Sequence, residues 1–293
     1  MEIVRRNSHF INDISSDNSG IIDPKYRNIV LAHIIGNYSE SVQTPLFLAI
    51  HGSPGEGKTF QTLQICREHH IKTCYFSGSE LSGNYERDSI MEFDEDYKRA
   101  CNYYAEGEFS VIIVDDFHLS PASTKEGVGT TVNSQLLTGY LMNLCDKAKS
   151  SQIDRIPIIL LGNTFKYVYD PLKRDGRMNF YQWSAPKSLK KQIVKDLFKD
   201  YVSTRDHLHL NQFFDAYQDM PVSFFTELKN DVDTELINGV IERLGEVDIG
   251  TYLKAFQEKK AKKKRISIAR LYQLADDRKK AALLSSKDGD DII

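Results

Sequence analysis

The apolar positions of this chain change their period part-way along. Residues 46–50, 110–114 and 157–161 are short runs rich in Ile, Val, Leu and Phe, residues 73–77 are the more mixed run Thr-Cys-Tyr-Phe-Ser, and each is bounded by polar or turn-forming residues. Runs of that length and composition predict strands buried on both faces. Segments of helical spacing separate them, and this alternation predicts a parallel sheet with helices on both sides. Ahead of the first strand, residues 26–35 have helical spacing, and Gly36 stands where a helix C-terminal cap is expected. After Pro186 the strand pattern stops. Residues 187–245 then read as helices, with 189–198 the clearest. The expected organisation is an N-terminal arm and helix over 1–40, an α/β domain over 41–186, a small helical domain over 187–250, and a basic helical segment with a polar tail over 251–293.

The first strand runs straight into Gly52-Ser53-Pro54-Gly55-Glu56-Gly57-Lys58-Thr59, and Phe60 continues into a helical pattern. This is G-x-x-x-x-G-K-[ST] in the strand–loop–helix setting that a phosphate-binding P-loop requires. Glycines let successive backbone N–H groups turn inward on an anion, and the positive end of the next helix points the same way. Lys58 then reaches the β- and γ-phosphates, and the Thr59 hydroxyl faces Mg²⁺. ATP and Mg²⁺ are the cofactors this implies, with Gly52 to Phe60 as the nucleotide-binding stretch.

Three further landmarks follow in order. The third strand ends in Asp115-Asp116, a Walker B pattern in which Asp115 holds the metal and Asp116 orients the attacking water. Carboxylates at the C-terminal end of a parallel strand face the crevice where α/β sheets bind ligands. The fourth strand ends at Gly162-Asn163, where Asn163 is placed to sense the γ-phosphate. Arg174 and Arg177, in Pro171-Leu172-Lys173-Arg174-Asp175-Gly176-Arg177-Met178, are both candidates for an arginine finger that stabilises phosphoryl charge in a neighbouring subunit. An α/β core followed by a helical lid is the layout of an AAA+ P-loop NTPase.

Several of these pieces resemble Rubisco activase. They are Ser77-Gly78-Ser79-Glu80-Leu81-Ser82-Gly83-Asn84, Gly129-Thr130-Thr131-Val132-Asn133-Ser134-Gln135, Ile156 to Asn163, Pro171 to Met178 and Tyr181-Gln182-Trp183-Ser184-Ala185-Pro186. The resemblance covers about residues 45–235. It implies an ATP hydrolase, assembled as a homo-oligomeric, hexameric ring, that remodels a protein client. Where the activase lid carries an arginine that contacts nucleotide, this chain has Lys229, which supplies charge without a bidentate fork. Tyr85 stands where AAA+ rings place a client-gripping aromatic in the pore, and residues 120–131 would form a second pore loop.

Composition refines this reading at two points. The formal charge of −3 conceals a basic stretch, residues 254–280, with 11 basic and 3 acidic side chains. That stretch raises a second hypothesis, a nucleic-acid-associated AAA+ switch or loader that makes phosphate contacts. A third is a regulatory ATPase working with a separate defence or toxin effector. The four cysteines show no metal-ligand spacing. With no long apolar run and no signal-like N-terminus, the expected setting is cytoplasmic, without membrane contact.

Overall fold

The structure is a computed structural model that describes residues 9–11, 20–82, 88–123, 132–150, 155–203, 208–261 and 266–287. The chain divides into two compact units, residues 1–184 and 185–293.

The first unit is built on five parallel strands, β1 (Phe47–His51), β2 (Lys72–Ser77), β3 (Ser110–Asp115), β4 (Ile158–Gly162) and β5 (Met178–Gln182), in the order β2-β3-β4-β1-β5. The expected parallel sheet is present, with β5 added. β1, β3 and β4 are buried along nearly their whole length, as continuous apolar runs require. β5 alternates poorly and is largely exposed, which is why its apolar signal is weak. Four helices belong to this unit among its described residues: α1 (Pro24–Tyr38), α2 (Lys58–Glu68), α3 (Asp88–Ala105) and α4 (Val132–Ser150). One apolar core joins α3 and α4 to the sheet through Phe93, Tyr97, Leu137 and Leu141 on Phe76, Ile112, Val114 and Leu160.

α1 begins on the Asp23 side chain, which accepts from the Tyr26 N–H, with Pro24 in the first turn. It does not stop at Gly36. The helix runs on to Tyr38, and Gly36 is buried against Thr44, whose Oγ1 would lie 2.2 Å from an added Cβ. Gly36 is a close-packing glycine inside the helix, and the expected cap falls at Ser39.

β2 is the sheet's outer strand in sequence terms, yet its free edge is covered. Phe10 bridges Cys74 in antiparallel fashion, Tyr75 N–H donates to His9 O (3.0 Å), and Ile11 N–H donates to Thr73 O (3.0 Å). His9 also stacks on Phe76 and bonds Asp96 through Nδ1 at 2.8 Å.

The second unit is helical: α5 (Lys187–Phe198), α6 (His209–Tyr217), α7 (Val222–Leu244), α8 (Ile249–Ala261) and α9 (Ile268–Lys287). Its core gathers Val194, Phe198, Phe213, Phe214, Phe225, Leu228 and Val232 with Leu271 and Ala275 of α9. α9 is thus part of this unit's core. Arg270 and Arg278, two of the cations in the basic stretch, are paired with Glu235 and Asp231. No helix among the described residues is long and apolar enough to cross a membrane.

Candidate nucleotide site

The P-loop lies between β1 and α2, at the C-terminal end of the sheet. Its shape depends on two glycines for different reasons. Gly57 precedes α2 with φ +80°, in the left-handed region that glycine adopts without a Cβ penalty. Gly52, at φ +156°, also lies against backbone: an added Cβ would sit 1.9 Å from the Trp183 carbonyl oxygen. Trp183 holds the loop from β5's end. Its N–H donates to His51 O (2.7 Å) and its indole Nε1–H to Glu56 O (2.8 Å). Beneath the start of α2, the fully buried Tyr26 hydroxyl donates to Lys58 O (3.0 Å) and meets Thr62 Oγ1 at 2.8 Å. Burial pushes the Tyr26 phenol far above its ordinary range, so it stays a donor.

Ser53 and Pro54 are exposed at the loop's tip, while Glu56 and Lys58 are buried. Lys58 Nζ donates to Gly52 O (2.8 Å), Ser53 O (2.9 Å) and Asn163 Oδ1 (3.2 Å). All three acceptors are neutral, so the ammonium charge remains available to an anion. Burial lowers the Lys58 pKa, opposed by Asp115, Asp116 and Glu56. Phe60 is half-exposed, with its ring against Gly20.

On the neighbouring strand, Asp115 Oδ2 accepts from Thr59 Oγ1 (2.6 Å) and from Tyr75 OH (2.8 Å), while Oδ1 accepts from Asp116 N–H (2.9 Å). Burial, and then the carboxylate itself, push the Tyr75 phenol far above its ordinary range. Asp116 turns into the left-handed region at φ +49° and projects outward, exposed. His118, in the short 3-10 turn Phe117–Leu119, faces both sides of the site. Its Nε2 lies 3.4 Å from Asn163 Nδ2, and its Nδ1, 3.9 Å from Asp116 Oδ1, is buried without a hydrogen-bond partner.

The structure therefore brings Lys58, Thr59, Asp115, Asp116 and Asn163 to one place. Tyr75, His118, Trp183 and Tyr26 join them; only Trp183 lies in a segment that the resemblance had marked, and there without an assigned role. The residues fit a magnesium nucleotide. The loop offers backbone donors and a lysine whose direct hydrogen-bond acceptors are all neutral, and Thr59 Oγ1 and the Asp115 carboxylate are hard oxygens of the kind Mg²⁺ takes. The two arginines differ. Arg174 is exposed, whereas Arg177 is tied down, donating to Pro171 O (2.9 Å) and pairing with Asp146 (3.3 Å). In the helical unit, Lys229 Nζ donates to Asp233 (2.8 Å) and lies 5.5 Å over the Tyr201 ring. Tyr85, most of the 120–131 loop and residues 262–265 of the basic stretch lie outside the described residues.

Residues 48–185 match the model of the ATPase family associated with various cellular activities, AAA. The α/β unit is an AAA+ domain. The chain resembles Rubisco activase, as the sequence motifs led one to expect. It is 30% identical over 237 residues to ribulose bisphosphate carboxylase/oxygenase activase of Anabaena sp. (strain CA / ATCC 33047), covering 76% of this chain and 56% of that one. Against the protein of the same name from Nostoc sp. (strain PCC 7120), identity is 31% with the same coverage. Against the chloroplastic protein of Spinacia oleracea it is 27% over 246 residues, covering 79% of this chain and 51% of that one. The chain thus spans about half the length of the curated relatives it matches.

Proposed function

We propose that this AAA+ protein hydrolyses ATP at sites shared between subunits of a ring and uses the energy to remodel a protein client. The observation that carries the reading is the convergence of Lys58, Thr59, Asp115 and Asn163, drawn from three separate strand ends, through direct side-chain hydrogen bonds.

In this reading Lys58 and the loop N–H groups bind the β- and γ-phosphates. Thr59 and Asp115 hold magnesium, which when bound neutralises charge on the phosphoryl oxygens. Asp116 orients the attacking water and draws on its proton. Asn163 positions Lys58 on one side and the γ-phosphate on the other. The exposed Arg174 is the better-disposed finger for a neighbouring site, because Arg177 is already engaged within its own subunit. The client is a protein, as the resemblance to the activases implies, and Tyr85 is the residue assigned to grip it. Four cysteines outside any disulfide fit a reduced, cytoplasmic setting.

The test is a set of three variants. Lys58→Ala should lose ATP binding, and Asp116→Asn should bind ATP without turning it over. Arg174→Ala should lose turnover alone and regain part of it in mixed assemblies with Lys58→Ala subunits. Unchanged ATPase rates in the first two would sink the catalytic assignment, and no recovery at any mixing ratio would sink action across subunits.

A further inference from the structure

The Asp115 carboxylate is held by more than the two parts of the nucleotide motif. β2 pairs with β3 so that Tyr75 lies opposite Ile113 and Ser77 opposite Asp115. Side chains alternate faces along a strand, so Tyr75, Ser77, Ile113 and Asp115 share one face. Ser77, directly across, is not the donor, because its Oγ bonds Ser79 Oγ (2.8 Å) in its own turn. Tyr75 stands two residues back, and the length of its phenol spans that diagonal to reach Oδ2 at 2.8 Å.

The carboxylate then has three donors: Thr59 Oγ1 and Tyr75 OH on one oxygen, and Asp116 N–H on the other. A carboxylate has roughly four lone-pair sites, so three bonds fix its plane and leave one site open. Thr59 belongs to the metal's own ligand set. The orientation therefore rests on Asp116 N–H, which any residue supplies, and on Tyr75 OH, which only this side chain supplies. Tyr75 is itself braced, since its N–H donates to His9 O across the covered strand edge.

We propose that Tyr75 is a positioning residue for the magnesium site, its hydroxyl locking the Asp115 carboxylate in the orientation that receives the metal. This rests on the reading of Thr59 and Asp115 as metal-side oxygens. Partners behind a metal ligand set the ligand's orientation, and removing one weakens metal binding by about 10–100-fold.

The experiment titrates Mn²⁺ into the full chain loaded with a non-hydrolysable ATP analogue, read by electron paramagnetic resonance. It compares wild type, Tyr75→Phe, Asp115→Asn and the double variant. Tyr75→Phe should weaken Mn²⁺ by at least about 10-fold, with analogue affinity in EDTA unchanged. The loss should disappear in the Asp115→Asn background, because the hydroxyl acts only through that carboxylate. Mn²⁺ affinity within about twofold of wild type, or a full additional loss on top of Asp115→Asn, would overturn the proposal. If Tyr75→Phe does not fold, Tyr75→Met fills similar space without a donor and is read the same way. A silent Asp115→Asn would bring down the metal-site reading itself. A damaging Asp115→Asn beside a silent Tyr75→Phe would bring down only the role of Tyr75.

Discussion

The two P-loop glycines provide the sharpest test of the site's construction. A methyl group at Gly52 would sit 1.9 Å from Trp183 O and 3.0 Å from Trp183 C, both backbone atoms. Relief needs a displacement of about 1 Å simply to reach a separation near 3.0 Å, and the residue that must move also bonds His51 O through its N–H. Overpacking of this kind costs about 1–3 kcal/mol, and the strained hydrogen bond adds about 1 kcal/mol. At Gly57 an added Cβ meets nothing within 4 Å, so the cost is only that of φ +80°, about 1–2 kcal/mol. In a domain of this size, 1 kcal/mol moves Tm by about 2–4 °C. Gly52→Ala should therefore lower Tm roughly twice as far as Gly57→Ala. Asparagine separates the causes. Gly57→Asn should recover part of the loss, because asparagine tolerates the left-handed region. Gly52→Asn should be at least as damaging as Gly52→Ala. Thermal unfolding without nucleotide, with fluorescent-ATP titration alongside, reads both effects. A Gly52→Ala protein that melts with wild type, or asparagine rescue at Gly52 but not at Gly57, would overturn this account of the loop.

Other expectations follow from contacts already described. His118→Leu should lower kcat several-fold at unchanged KM for ATP, with His118→Gln restoring part of it by accepting from Asn163. A raised KM with normal kcat would count against the contact. Arg177→Ala should lower Tm as well as turnover, since it breaks the bonds to Pro171 and Asp146, while Arg174→Ala should leave Tm unchanged. Differential scanning fluorimetry distinguishes the two, and equal melting of both variants would contradict this assignment. The His9 pKa is raised by its hydrogen bond to Asp96, with burial opposing and Glu80 and Glu92 assisting. Its stabilising contribution is therefore fully present below the ordinary histidine value of about 6.5 and is lost as pH rises through the higher folded value. The Tm gap between wild type and His9→Gln should shrink between acid and mildly alkaline pH. A gap that widens would reverse the sign.

Local patterns carried much of this fold. Three of the four expected strands, β1, β3 and β4, announced themselves because each is buried along nearly its whole length and so is apolar throughout. β5 was missed because it lies at the sheet's margin, with Asn179, Phe180 and Gln182 exposed. The same division runs through the site. Lys58, Thr59 and the Asp115-Asp116 pair form contiguous motifs. Trp183 touches the loop across 127 positions of sequence and Tyr75 reaches Asp115 across 40. Nothing near Tyr75 in the chain distinguishes it from a core residue, and the segment around Trp183 carries a resemblance without a stated role for the indole. Their roles exist only once β5 and β2 have been placed beside their neighbours. Gly36 failed as a cap for a related reason: a glycine needed for close packing looks, in sequence, like one needed for a turn.

The covered edge of β2 bears on where this domain can be cut. The recognisable motifs begin near residue 45, and a boundary drawn there would discard residues 9–11 together with α1. The Tyr75 N–H and the Thr73 carbonyl would then face water on an open strand, the kind of edge that recruits foreign strands and aggregates. Lys58 O would also lose the Tyr26 hydroxyl beneath it. The smallest piece that folds as this unit does should therefore start at or before His9, well upstream of the point where its chemistry becomes readable.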